Sequence, residues 1–298
     1  MKKEIKIAFQ VKDNNLAKKL KKDKEIEDYK FILLDQIEIE KADFILIDAN
    51  YLEKYKEGLL QLRRYPQKII LISNKKDEDN INLFLSQYPI NHLVGFNSKA
   101  IIKEIYDTML KCLTNPFWGI DRYLKANFLS QACRIKSSDE IETSVYKIIE
   151  QFNFSNTFKS SVDYLKLMAN ELITNAFFNT IDGNADRRQK VITEKNKKII
   201  FTMGKDKHHI IFSIQDDYGL LTRDTIIQCL TRSFREKTPL KQKGGAGLGL
   251  YITFSYANQL IINSEKNKRT EVIIIIDCNR RYKKYKERIT SLHFHEVI

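Results

Sequence analysis

Five short apolar runs alternate with helical stretches over the first 113 residues, and this alternation limits the fold more than any other feature of the chain. The runs cover 5–11, 29–34, 42–48, 68–73 and 92–95. Helical patterns occupy 14–22, 52–63, 79–87 and 100–113 between and after them. Strands so uniformly apolar are buried on both faces, and a helix between successive strands implies parallel pairing with helices on both sides of the sheet. The expected fold of 1–113 is a doubly wound parallel α/β domain.

With 298 residues the chain has room for a second domain. Its 43% hydrophobic and 30% charged content reads as globular. No apolar stretch reaches about 18 residues, so no membrane-spanning helix and no membrane partner is expected. The start, Met1 to Ile7, alternates like a strand and carries no signal-peptide core. Cys112, Cys133, Cys229 and Cys278 are scattered, without metal-ligand spacing or a disulfide framework, which makes the cytoplasm the expected compartment. The net charge of +13 suits nucleic acid, anionic lipid or a polyphosphate ligand. A local excess of cations lies at Arg280, Arg281, Lys283, Lys284 and Lys286, but no nucleic-acid motif accompanies it, and nucleic acid is not the expected partner.

Residues 114–137 read as a linker in which Asn115-Pro116-Phe117-Trp118-Gly119 stops the preceding helix and presents aromatics that need something to pack on. A second domain is expected over 138–298. Ser138, Asp139 and Glu140 cap a helix whose apolar positions are Ile141, Val145, Ile148, Ile149 and Phe152. A longer helix over 162–180 carries the stripe Val162, Leu165, Met168, Leu172 and Ala176. Within that helix Glu171 and Asn175 are four residues apart and share one face. A hairpin over 199–203 and 210–214 ends in Asp216-Asp217-Tyr218-Gly219. Arg223, Arg232, Arg235, Lys237, Lys241 and Lys243 follow as a basic, lid-like segment.

Four of the ten glycines then fall within six residues, at Gly244, Gly245, Gly247 and Gly249, directly before the apolar helical pattern Leu248, Leu250, Ile252, Phe254. Such a turn at a helix start gathers free backbone N–H groups at the positive end of the helix dipole, where a phosphate fits. The spacing Gly245-x-Gly247-x-Gly249 is neither a Walker A loop nor the dinucleotide-binding fingerprint. A second hairpin over 260–263 and 271–276 closes the pattern.

A helix with Glu-x-x-x-Asn-Ala, a strand ending in Asp near Gly, a basic lid, a Gly-x-Gly-x-Gly-Leu helix and a closing hairpin, in this order, resemble the Bergerat-fold (GHKL, histidine-kinase-like) ATPases over roughly 138–278. The resemblance implies an α/β sandwich that binds ATP with Mg²⁺. It implies Asn175 as the Mg²⁺ ligand and Glu171 as the catalytic residue that orients or deprotonates the attacking group. Lys243, Gly245, Gly247, Leu248 and Gly249 would form the phosphate end, and Asp216 or Asp217 with Gly219 the adenine end. The usual Asp-x-Gly spacing selects Asp217, whereas strand alternation in phase with Ile210, Phe212 and Ile214 favours Asp216.

The five histidines are His92, His208, His209, His293 and His295, and none lies in 114–180, which excludes autophosphorylation on a dimerisation-helix histidine. The Glu-Leu-Ile-Thr-Asn-Ala box is closer to anti-sigma-factor serine kinases. The first domain resembles a degenerate response-regulator receiver. Asp48 and Ser73 end its third and fourth strands, but Gln10-Val11-Lys12-Asp13 stands where an acidic pair is needed, and Phe96-Asn97 stands where a lysine belongs. This implies an interaction or dimerisation module rather than a phosphoacceptor. The expectation for the whole chain is a cytoplasmic ATP-binding signalling regulator with a protein partner and a possible homodimer, acting as a Ser/Thr kinase or, alternatively, as a nucleotide-gated interaction module.

Overall fold

The computed structural model describes residues 2–297 except 23–24, 27, 35–38, 75–79, 97–100, 115–117, 126, 155–158, 179–188, 237–247 and 279–288. The class is mixed α/β. The chain divides into two compact units, Met1–Asn115 with Lys286–His293, and Pro116–Tyr285 with Phe294–Ile298.

In the first unit the order is β1 (Lys3–Gln10), α1 (Asn14–Lys22), β2 (Glu25–Ile26), β3 (Tyr29–Leu33), β4 (Phe44–Asp48), α2 (Lys56–Gln61), β5 (Ile69–Ser73), α3 (Ile81–Gln87), β6 (His92–Gly95) and α4 (Ile101–Thr114). β3, β4, β5 and β6 join β1 in parallel, giving the sheet order β3-β1-β4-β5-β6, with the short β2 antiparallel on β3. Ile5, Ile7, Phe44, Leu46, Ile70, Ile72 and Val94 bury one face against Leu16 and Leu20 of α1 and Ile105 and Met109 of α4. Residues of the opposite phase, Ala8, Ile45, Ile47, Leu71 and Leu93, are buried as well. Burial in both phases is what removes alternation from the strand sequences.

The helical pattern at 52–63 is broken into 3₁₀ turns on either side of the short α2. The segment Lys286–His293 belongs to this unit and lays the start of β12 (Ser291–Val297) antiparallel on β6, pairing Leu292 with Leu93 and His293 with His92. Gly95 is required there: a Cβ would stand 2.4 Å from the Ile289 carbonyl oxygen, and its N–H donates to Ser291 Oγ at 3.0 Å.

The second unit runs β7 (Leu129–Ile135), α5 (Ile141–Glu150), α6 (Lys159–Phe178), β8 (Ile199–Lys205), β9 (His209–Asp216), α7 (Arg223–Glu236), α8 (Leu248–Tyr256), β10 (Gln259–Glu265) and β11 (Arg269–Asp277). Its strands pair antiparallel in the order β10-β11-β9-β8-β7. Register puts Phe201, Phe212, Ile214, Val272 and Ile274 on one face. α5 rests on β7 and β8, α6 on β8 and β9, and α8 on β10.

The opposite face carries Ile211, Ile261, Ile273 and Ile275, covered by Ile120 and Leu124. The stretch before β7, read from sequence as a linker, thus contributes to this core. Trp118 stacks under the Arg269 guanidinium at 3.7 Å, the packing its aromatic ring required. The Gly119 N–H donates to both oxygens of buried Glu271, at 3.1 and 2.9 Å. Residues 223–236, expected as part of a basic lid, form α7 instead. Ile226, Ile227 and Leu230 bury its apolar stripe, and it packs on α8. No helix among the described residues is long and apolar enough to cross a membrane.

Candidate functional site

β9 enters the core as an alternating strand and leaves it at Asp216. Ile210, Phe212 and Ile214 share its phase and are fully buried, and Asp216 itself is 5% exposed. A carboxylate in such a place needs donors. The turn supplies two: the backbone N–H groups of Tyr218 and Gly219 donate to Oδ1 at 2.9 and 3.1 Å. Burial is the largest influence on this carboxyl and raises its pKa to about 6; nearby Asp217 adds to the rise, while the two N–H groups and Lys197 oppose it.

Gly219 holds φ +64, and a Cβ there would lie 2.2 Å from the Glu265 carbonyl oxygen and 2.6 Å from the Lys268 nitrogen. Only glycine fits this corner. The Asp217 backbone is fixed on both sides. Its N–H donates to the Lys198 carbonyl at 3.1 Å, and its own carbonyl accepts from Lys197 Nζ at 2.6 Å. Between the two aspartates the structure places Asp216, not Asp217, on the helix-covered face of the sheet.

Register adds a residue the sequence reading did not single out. Thr270 pairs with Asp216 across β11 and β9, so their side chains stand on the same face. Thr270 is 1% exposed, and its Oγ1 has no hydrogen-bond partner among the described residues. Thr270 thus places a hydroxyl, donor and acceptor in one, across the strand from a buried carboxyl. The signal lay in the strand pairing and not in any local motif.

Glu171 and Asn175 lie on one face of α6, both half-buried. α6 packs on β9, which ends at Asp216, and on α8, which begins at Leu248 with Gly249 next. The helix bearing Glu171 and Asn175 therefore touches both the strand ending in Asp216 and the helix that begins at Leu248. Lys243, Gly245 and Gly247 lie outside the described residues, as do Lys237 and Lys241. Of the expected lid cations, Arg223 is in contact with Asp224 at 3.5 Å, and burial lowers its pKa.

In the first unit Asp48 ends β4 and is 7% exposed. Its Oδ1 accepts from the Asn50 N–H at 3.1 Å and from Asn50 Nδ2 at 2.6 Å, which makes it the cap of the following turn. Ser73 is buried at the end of β5. The same unit holds a buried polar cluster that sequence spacing did not announce. His92 Nε2 stands 3.4 Å from Cys112 Sγ, and burial pushes the Cys112 thiol up to about 12 and the His92 imidazole well down. Thr108 Oγ1 donates to the Glu104 carbonyl at 2.7 Å, so in its 3.4 Å contact with His293 Nδ1 the hydroxyl oxygen accepts. His293 Nε2 then faces Glu104 Oε1 at 3.2 Å. None of the four cysteines forms a disulfide.

Comparison with models of known protein families and with curated protein sequences finds no match for this chain.

Proposed function

We propose that the second unit binds ATP with Mg²⁺ in the manner of the Bergerat-fold ATPases, and that the protein is a signalling regulator acting as an anti-sigma-type Ser/Thr kinase or partner-switching protein. The observation that carries the reading is the buried strand-end pair Asp216 and Thr270, on the sheet face covered by the helix that bears Glu171 and Asn175.

An ionised carboxylate only accepts, so Asp216 selects an exocyclic amine and rejects a base that offers a carbonyl at that place. Thr270 supplies the matching hydroxyl. Discrimination by such an edge is large because a mismatched base leaves both buried groups unpaired. In this reading Asn175 offers its side-chain oxygen to the hard cation, as Mg²⁺ requires. Glu171, on the same helix face, takes the proton of the attacking hydroxyl or water. The start of α8 at Leu248 and Gly249 turns backbone N–H groups toward negative charge. The bound nucleotide would supply the transferable γ-phosphoryl group.

Titration calorimetry with Mg-ATP and Mg-GTP tests the binding step. The expected result is ATP binding that Asn175→Ala removes and GTP does not reproduce; equal binding of the two nucleotides, or of neither, overturns the proposal. Glu171→Ala separates the two roles. Retained ATP binding with loss of phosphotransfer marks a kinase, and retained binding with retained cellular function marks a nucleotide-gated module.

A further inference from the structure

Among the described residues β7 is the end strand of the second unit's sheet and pairs with β8 alone, from Leu129 opposite Lys205 to Ile135 opposite Ile199. Its residues from Leu129 to Ala132 are exposed, and Phe128 and Leu129 reach 36% and 65% exposure. A strand of this kind has a row of N–H and C=O groups that no second strand takes up. Sheet edges are ordinarily blunted by charge, proline or a covering element. Here the sequence 126–133, Ala-Asn-Phe-Leu-Ser-Gln-Ala-Cys, carries neither charge nor proline in a chain that is 30% charged.

The charges stand at the ends instead. Lys125 precedes the neutral run, and Arg134 and Lys136 follow it, all three exposed. Lys147 of α5 adds its field at Cys133. A second copy laid antiparallel on this edge would bring cations against cations. An extended segment with acidic ends would not.

We propose that the β7 edge is a docking strand for a partner protein, which adds an extended antiparallel segment, uncharged in its middle and acidic at both ends, as the next strand of the sheet. Main-chain hydrogen bonds supply the affinity. Leu129 and Phe128 read the alternate side chains, and Lys125, Arg134 and Lys136 select the acidic ends. The proposal is independent of nucleotide binding.

A display library of random nine-residue segments, selected on the intact protein, tests it. The expected consensus has a neutral, β-branched core between acidic residues, and a synthetic peptide of that consensus protects the backbone amides of 129–133 from hydrogen exchange. Leu129→Asp, at an exposed position where the fold tolerates it, weakens the peptide by about tenfold or more and leaves circular dichroism and the melting temperature unchanged. Replacing the acidic ends of the peptide by lysine has the same effect. Absence of a consensus, a consensus indifferent to Leu129→Asp or to end charge, or protection outside 129–133 overturns the proposal. So does a dimer in sedimentation that Leu129→Asp dissolves, since a second copy would then own the edge.

Discussion

Asp48 and Asp216 are the same device used for different ends. Each closes a core strand, each is almost fully buried, and each accepts a backbone N–H from the turn that follows. Asp48 receives a second bond from Asn50, a side chain two residues away, and so is satisfied within its own turn. Asp216 receives the Tyr218 and Gly219 N–H groups on Oδ1 and has Thr270, whose hydroxyl has no partner among the described residues, as its cross-strand neighbour. A capped aspartate is a structural part, whereas under the proposed function Asp216 and Thr270 together take up a ligand.

The sharpest way to break this contrast is at the turn. Gly219→Val puts a Cβ where backbone already stands, at a φ that valine avoids, and is expected to cost about 3 kcal/mol or more and to abolish ATP binding. Urea unfolding and calorimetry read both.

Asp216→Asn comes next. The folded carboxyl has its pKa raised to about 6, so its stabilising contribution is complete below the ordinary value and is lost as pH rises through about 6. Asparagine never ionises, so at pH 8 the variant is expected to be more stable than the parent by on the order of 2 kcal/mol while losing ATP. Asp48→Ala, by contrast, removes only a cap, costs about 1 kcal/mol and leaves ATP binding unchanged. Equal loss of nucleotide from both variants would erase the distinction.

Thr270→Val tests the idle hydroxyl. Stability is expected to hold or rise slightly while ATP weakens by roughly fivefold to tenfold, about 1 kcal/mol. The smallest effect concerns His209. Burial works to lower its pKa but is outweighed by Asp277, at 3.3 Å from Nε2, and by Asp206, at 3.5 Å from Nδ1, so the net shift is upward. The stability it adds is present in full below 6.5 and disappears as pH rises through the higher folded value. His209→Gln is expected to flatten that part of the melting temperature's pH profile without touching nucleotide binding.

The parallel strands of the first unit were legible because β4 and β5, buried in both phases, are apolar except for their last residues. The burial of Asp216 was legible for a different reason: β9 alternates, and phase carries through to its last residue. α7 was not, because its three cations equal its three buried apolar residues in number and suggest a basic lid. Thr270 and the pairs His92–Cys112 and His293–Glu104 were invisible for a physical reason: partners 20 to nearly 200 residues apart are chosen by register and packing, which no local pattern encodes.

The start of β12 gives the protein an unusual order of manufacture. A chain leaves the ribosome N-terminus first, and domains ordinarily close as they emerge. Here the β6 edge, with His92 behind it, stays open until Lys286–His293 has been made, after nearly all of the second unit. The earliest part to be synthesised is among the last to be finished, and a ribosome stalled short of residue 291 holds a first unit whose β6 lacks its β12 partner.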